Sequence, residues 1–155
     1  MQTELRIPSN LKFLSIIETW MLESLRLELG AWSDWPKLEN RLRLVLTEAY
    51  SNVVRHAHHD RPDIPVVFRL ELRSDLLCLE VWDQGNGFDL NNYLPPSPKA
   101  QQEGGYGWLI LNRLMDKVDY QVKIQGQQNC LRLQTKLPPD CYVATPSEEM
   151  SVQDG

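Results

Sequence analysis

The sequence has no apolar run that approaches membrane-spanning length, which excludes a transmembrane helix. Its opening, MQTELRIPSN, has no apolar h-region and no small-residue cleavage site, so the expectation is a cytoplasmic protein without membrane contact. Cysteine is scarce. Cys78, Cys130 and Cys141 are odd in number and lack CxxC spacing, which argues against a disulfide framework and a zinc site. Positive charge is also in short supply: 16 Lys and Arg against 21 Asp and Glu leave a net charge of −5. That balance argues against direct binding of nucleic acid through phosphates, which needs a basic face. No internal repeat and no second domain are visible.

The sequence does hold enough apolar material for one continuous core, with 155 residues, 42% hydrophobic content, five Trp and five Tyr. Residues 4–7 read as a short strand ended by Pro8, after which Ser9 or Asn10 can cap a helix. Leu14, Ile17, Met21 and Leu25 recur at helical spacing over residues 11–29, with Gly30 as the stop. Pro36 opens a second helix whose stripe Leu38, Leu42, Val45, Ala49 and Val53 forms one core face. Strict alternation predicts a hairpin from strands 64–73 and 76–82. A long polar stretch over 90–107 then precedes a third helix expected at 108–118, with Leu111, Leu114, Met115 and Val118 on one face. Strands at 120–125 and 130–137 follow, joined at Gly126. The order implies an α+β fold: two layers, with helices packed on one face of a mixed, mostly antiparallel sheet. Residues 1–137 form the expected domain, and 138–155 a flexible tail rich in proline, serine and acids.

Three stretches carry the chemistry. In LVLTEAYSNVVRHA (residues 44–57), Glu48 and Asn52 lie one helical turn apart on one flank of the core stripe. Two polar groups in register on an apolar helix cost stability unless something meets them. In DQGNGFD (83–89), Gly85 and Gly87 directly after a strand let the backbone turn sharply and approach a ligand, beside an acceptor at Asp83. In GGYG (104–107), a glycine-rich run opens a helix and exposes backbone N–H groups at the positive end of its dipole. Taken singly, the two glycine stretches are also ordinary turns.

In this order, Glu48-x-x-x-Asn52, Asp83-x-Gly85-x-Gly87 and Gly105-x-Gly107 resemble the N, G1 and G2 boxes of the ATPase superfamily of gyrase, Hsp90, histidine kinases and MutL. TEAYSNVVRHA, DQGNGFD and GGYGWLILNRLMDKV look like the small anti-sigma factor serine/threonine kinases of the RsbW type, a resemblance that covers about residues 3 to 137. It implies a two-layer sandwich of the Bergerat type that uses ATP and Mg2+. By that resemblance Asn52 would hold the Mg2+, Asp83 would accept from the adenine amino group, and Gly85 and Gly87 would let the backbone reach the base. Gly105 and Gly107, with Tyr106 between them, would wrap the phosphates as part of a lid. Arg55 would add positive charge, and Glu48 would be the general base on a serine hydroxyl. The implied partners are an anti-sigma-factor antagonist, phosphorylated on serine, a sigma factor that is sequestered, and a second copy of the chain in a homodimer.

An ATP-gated binding module of the same fold, without phosphotransfer, is the alternative. The presence of Glu48 favours the kinase, because binding Mg·ATP needs Asn52 more than it needs a base. His56, His58, His59 and Asp60 could suggest a metal site, yet adjacent histidines at a helix end more often cap or solvate it.

Overall fold

The computed structural model describes residues 1–30, 34–58, 61–85, 107–124 and 126–138. Strand β1 (Gln2–Pro8) leads through a single 3-10 turn, Leu11–Phe13, into α1 (Leu14–Leu29) and then α2 (Trp35–Asn52). Next come β2 (Pro65–Arg73), β3 (Leu76–Asp83), α3 (Gly107–Leu114), β4 (Lys117–Ile124) and β5 (Gln128–Lys136). Asn10, rather than Ser9, caps the first turn, its side chain accepting from the Lys12 N–H at 3.0 Å. At the far end of α1, Gly30 adopts a positive φ of 65° and its N–H closes on the Arg26 carbonyl.

The five strands lie in the order β1-β2-β3-β5-β4, and all four pairings are antiparallel. The mixed, mostly antiparallel sheet expected from the sequence is antiparallel throughout among the described residues. For β1 and β2 the reason lies in the helices. Glu18 pairs with Arg43 and Arg26 with Glu39, so α1 and α2 run in opposite directions. An out-and-back helix pair delivers the chain to β2 at the end where β1 left off, and β2 must run back beside β1.

Burial follows the two periodicities. Val66, Phe68 and Leu70 of β2, Leu77, Leu79 and Val81 of β3, and Leu131 and Leu133 of β5 form one face of the sheet. Against it pack Ile17, Met21 and Leu25 of α1 and Leu38, Leu42, Val45 and Ala49 of α2. The β4–β5 connection passes through Gly126 and Gln127, both left-handed at φ 76° and 72°.

The third helix ends earlier than its periodicity predicts, at Leu114 rather than at 118. Asp116 breaks it. Its N–H donates to the Gln134 carbonyl, while its carboxylate accepts from the Lys136 N–H at 2.7 Å and the Thr135 hydroxyl at 3.2 Å. These bonds fasten the chain to β5, so Val118 pairs with Leu133 as a strand residue instead of extending the helix. Val118 is apolar and packs on the core in either state, so the apolar pattern alone could not separate the two.

Tyr50 joins the layers where the site begins. It is fully buried on α2, edge-on to Phe68 with centroids 5.7 Å apart. Its hydroxyl accepts the Asn10 N–H at 3.0 Å and donates to the Pro8 carbonyl, pinning the β1–α1 corner to α2. Tyr50→Phe keeps the ring contact and removes these bonds. Its urea midpoint should drop by the equivalent of about 1 kcal/mol at unchanged slope. An unshifted midpoint would show that the corner is held without the hydroxyl.

Candidate functional site

Helix α2 buries one stripe in the core and presents Glu48 and Asn52, both half-buried, on a flank facing α3. Gly107, the first residue of α3, lies directly on that flank. A Cβ at 107 would sit 2.7 Å from Glu48 Oε2 and 3.5 Å from both Asn52 Nδ2 and Asn52 Oδ1. The last glycine of GGYG thus reaches the two polar side chains across 55 residues of chain or more. The N-terminal turn of α3, with its uncompensated N–H groups and positive dipole end, is placed beside the carboxylate and carboxamide. Burial pushes the Glu48 carboxyl above the usual carboxylate range, and the positive charge of Arg55 draws it partly back.

Directly after Asn52 the helix widens into a π turn, Val53–Ala57, closed by the His58 N–H on the Val53 carbonyl at 2.7 Å. The widened turn carries the Ala57 carbonyl up against the end of β3. A Cβ on Gly85 would fall 2.0 Å from Ala57 O, inside the atom, so no side chain fits there. Backbone meets backbone.

Asp83, at the end of β3, is 1% exposed and clamped from three sides. Its Oδ1 accepts from the Gly85 N–H at 3.0 Å and from Asn129 Nδ2 at 2.6 Å, and its Oδ2 accepts from the Tyr120 hydroxyl at 3.1 Å. Asn129 also donates to the Gly85 carbonyl at 2.9 Å and accepts from the N–H of Lys123, whose φ of 54° marks the irregularity in β4. A carboxylate offers about four acceptor positions, so three donors leave room for another.

Asn129 and Tyr120 carry no signal in the sequence that marks them for the site, and His58 is expected there only as a capping or solvated residue. Asn129 faces Asp83 in the β3–β5 register, a relation that only strand pairing creates. His58 departs from the expectation of a capping or solvated histidine: it is 1% exposed, and its Nε2 accepts the Gln84 N–H at 2.8 Å. Burial holds its imidazole below the ordinary histidine pKa, with nearby Asp83 and Asp63 opposing. Of the expected site residues, Glu48, Asn52 and Gly107 come together directly, and Asp83 with Gly85 joins them through the end of α2. Arg55 is exposed on the π turn. Gly87, Gly105 and Tyr106 lie outside the described residues, as do His59 and Asp60.

Two stability measurements probe this region. Gly85→Ala should destabilise the fold by about 1–3 kcal/mol, since the new methyl group meets a carbonyl that cannot move independently. Wild-type stability in that variant would mean that the contact with Ala57 yields freely. For His58, a folded pKa below the unfolded value means that below about pH 6.5 the unfolded state binds more protons. The neutral imidazole's contribution is complete above that pH, is lost as pH falls through the interval down to the folded pKa, and then levels off. His58→Gln should flatten the decline in melting temperature over that interval, and a decline of unchanged steepness would assign it to other groups.

With this geometry in place, the relatives can be set beside it. The family description "Histidine kinase-like ATPase domain" matches residues 13–135, a span that takes in Glu48, Asn52, Asp83, Gly85 and Gly107. Serine-protein kinase RsbW of Bacillus velezensis is 31% identical over 126 residues, 76% of this chain and 76% of that protein. The protein of the same name from Oceanobacillus iheyensis is 28% identical over 121 residues, covering 73% and 70%. Among solved structures, the histidine kinase domain of a blue-light activated histidine kinase from Erythrobacter litoralis superposes with a TM-score of 0.53. At 18% identity that likeness concerns the fold alone; it spans 83% of this chain and 63% of that one. Since the match runs through the helices, the sheet and the polar flank between α2 and α3, the chain belongs to the histidine kinase-like ATPase family, on its RsbW-like branch.

Proposed function

We propose that the chain is an ATP-dependent serine kinase that phosphorylates an anti-sigma-factor antagonist and otherwise sequesters a sigma factor, acting as a homodimer. The observation that carries the catalytic half is the seating of Gly107 on Glu48 and Asn52, which sets a base and a metal-binding amide beneath a helix N-terminus. The relatives named serine-protein kinase supply the class of acceptor.

Each residue then has a duty. Asn52 would offer its amide oxygen to Mg2+, an ion that takes few protein ligands and shares the rest of its shell with phosphates and water. Bound there, Mg2+ neutralises phosphate charge. No three His, Cys, Asp or Glu side chains converge among the described residues, and a shared ion of this kind needs no such cage. Asp83 would present its remaining acceptor position to the adenine amino group, held in place by Tyr120, Asn129 and the Gly85 N–H. Gly85 and Gly87 would let the chain approach the base. The N-terminal turn of α3, with Gly105, Tyr106 and Gly107, would line the phosphates, and Arg55 would add a positive charge.

Glu48 would accept the proton of the incoming serine hydroxyl. A half-buried carboxyl with a pKa raised by desolvation is a better base than a solvated one, and it sits beside the amide that holds the metal. Phosphoryl transfer leaves little covalent work to the protein, so positioning and charge neutralisation supply most of the acceleration. The separation of Asn52 from Glu48 by one helical turn lets one side chain serve the ion and the other the hydroxyl.

Intact-mass measurement of small antagonist-type proteins after incubation with the chain and Mg·ATP tests the reading. One partner should gain phosphate on serine. Glu48→Ala should slow that transfer by about 100-fold or more while Mg·ATP still binds. Asn52→Ala should weaken Mg·ATP binding itself, read by calorimetry. Nucleotide binding without transfer to any partner would turn the assignment to an ATP-gated binding module, and equal loss of affinity in both variants would undo the division of duties.

A further inference from the structure

A separate cavity of about 480 Å3 opens on the other flank of α2, walled by Ser9 and Asn10 of the β1–α1 corner, Val54, Arg55 and His58 of the π turn, and Arg61. Residues two apart on a helix point about 200° from one another, so Val54 looks away from the flank that carries Asn52. The cavity and the Glu48–Asn52 site therefore meet at the end of α2, with Val54 turned to the cavity and Arg55 common to both.

Two of the residues that line it carry buried polar atoms with no partner among the described residues, Ser9 Oγ and His58 Nδ1, and are 4% and 1% exposed. The histidine tautomer follows from its bond. Nε2 accepts the Gln84 N–H, so in the neutral ring the proton must sit on Nδ1. His58 thus holds, beside the cavity, a donor that nothing among the described residues accepts, and the Ser9 hydroxyl is in the same position. Unmatched donors at this depth are an uncompensated cost unless an acceptor binds. Arg55 and Arg61 are exposed and add two guanidinium groups. Arg61 reaches Asp63 only at 3.4 Å, in a pair more than half exposed on both sides. Two neutral donors within and two cations beside them suit a ligand that only accepts and carries negative charge on several oxygens.

We propose that this cavity binds a phosphate monoester group, received by Ser9, His58, Arg55 and Arg61. The cavity is larger than a phosphate and leaves room for the organic part of the ester. The inference goes beyond the kinase reading and does not rest on it, because Ser9, His58 and Arg61 have no part in nucleotide binding or transfer and only Arg55 is shared with that site. The same oxygens are presented by free phosphate and by a monoester such as phosphoserine, and these are the two sources to be told apart.

Calorimetric titration of the full chain with O-phosphoserine, serine and inorganic phosphate at constant ionic strength tests it. O-phosphoserine should bind wild type and Asn52→Ala alike, serine should not bind, and affinity should fall about tenfold or more in Arg61→Gln. Ser9→Ala, which removes a buried hydroxyl with little change in volume, should weaken binding in the same direction, with circular dichroism establishing that both variants are folded. Inorganic phosphate binding as tightly as O-phosphoserine would support the site with free phosphate as the source; tighter O-phosphoserine would support it with the ester as the source. Equal affinity in wild type, Arg61→Gln and Ser9→Ala would overturn the proposal, as would no heat at millimolar ligand. Binding lost in Asn52→Ala but kept in Arg61→Gln would overturn it too, by placing the phosphate in the site between α2 and α3.

Discussion

The contact between the Gly85 backbone and the Ala57 carbonyl is the constraint from which the rest of the site follows. It brings the end of β3 against the end of α2, and it does so because a π turn widens the helix just after Asn52 while residue 85 carries no side chain. Backbone-to-backbone approach of this kind leaves no room for rearrangement, since interiors are packed to the density of organic crystals. With that junction closed, the Asp83 carboxyl at the end of β3 and the Asn52 amide at the end of α2 are both held on rigid elements.

The clamp around Asp83 extends the same logic into the sheet. Tyr120 comes from β4 and Asn129 from β5, so the carboxyl at the end of β3 is gripped by its neighbour β5 and by the strand beyond it. A buried carboxyl without donors would be costly, and three donors convert that cost into orientation. Asn129 performs two tasks at once, because its carbonyl also accepts from Lys123 and so supports the positive φ that bends β4. Sheet irregularity and buried carboxyl are one network.

Helix α2 divides its surroundings in two. Toward α3 it presents Glu48 and Asn52 under Gly107; toward β1 and α1 it presents Val54 and His58 to a cavity with unsatisfied donors. Arg55, on the wide turn between the two, borders the cavity and also acts electrostatically on Glu48. One helix end therefore places positive charge where two anionic groups could be received, at no greater cost than a single exposed side chain.

Much of this was legible in the residues. Periods of 3.6 and 2 located the helices and strands, and the spacing of Glu48 from Asn52 put them on one helix flank without any knowledge of tertiary contacts. Short polar and glycine-rich stretches marked where a ligand could approach, because these are local preferences that each residue carries with it. What only the tertiary structure decided are the relations between distant segments: Gly107 on Glu48, Gly85 on Ala57, Asn129 opposite Asp83, the burial of His58, and the early end of α3 at Asp116. Each depends on strand register or on helix placement across tens of residues. The antiparallel pairing of β1 with β2 belongs with them, since their relative direction is set by how α1 and α2 fold back on one another and not by any period within a strand.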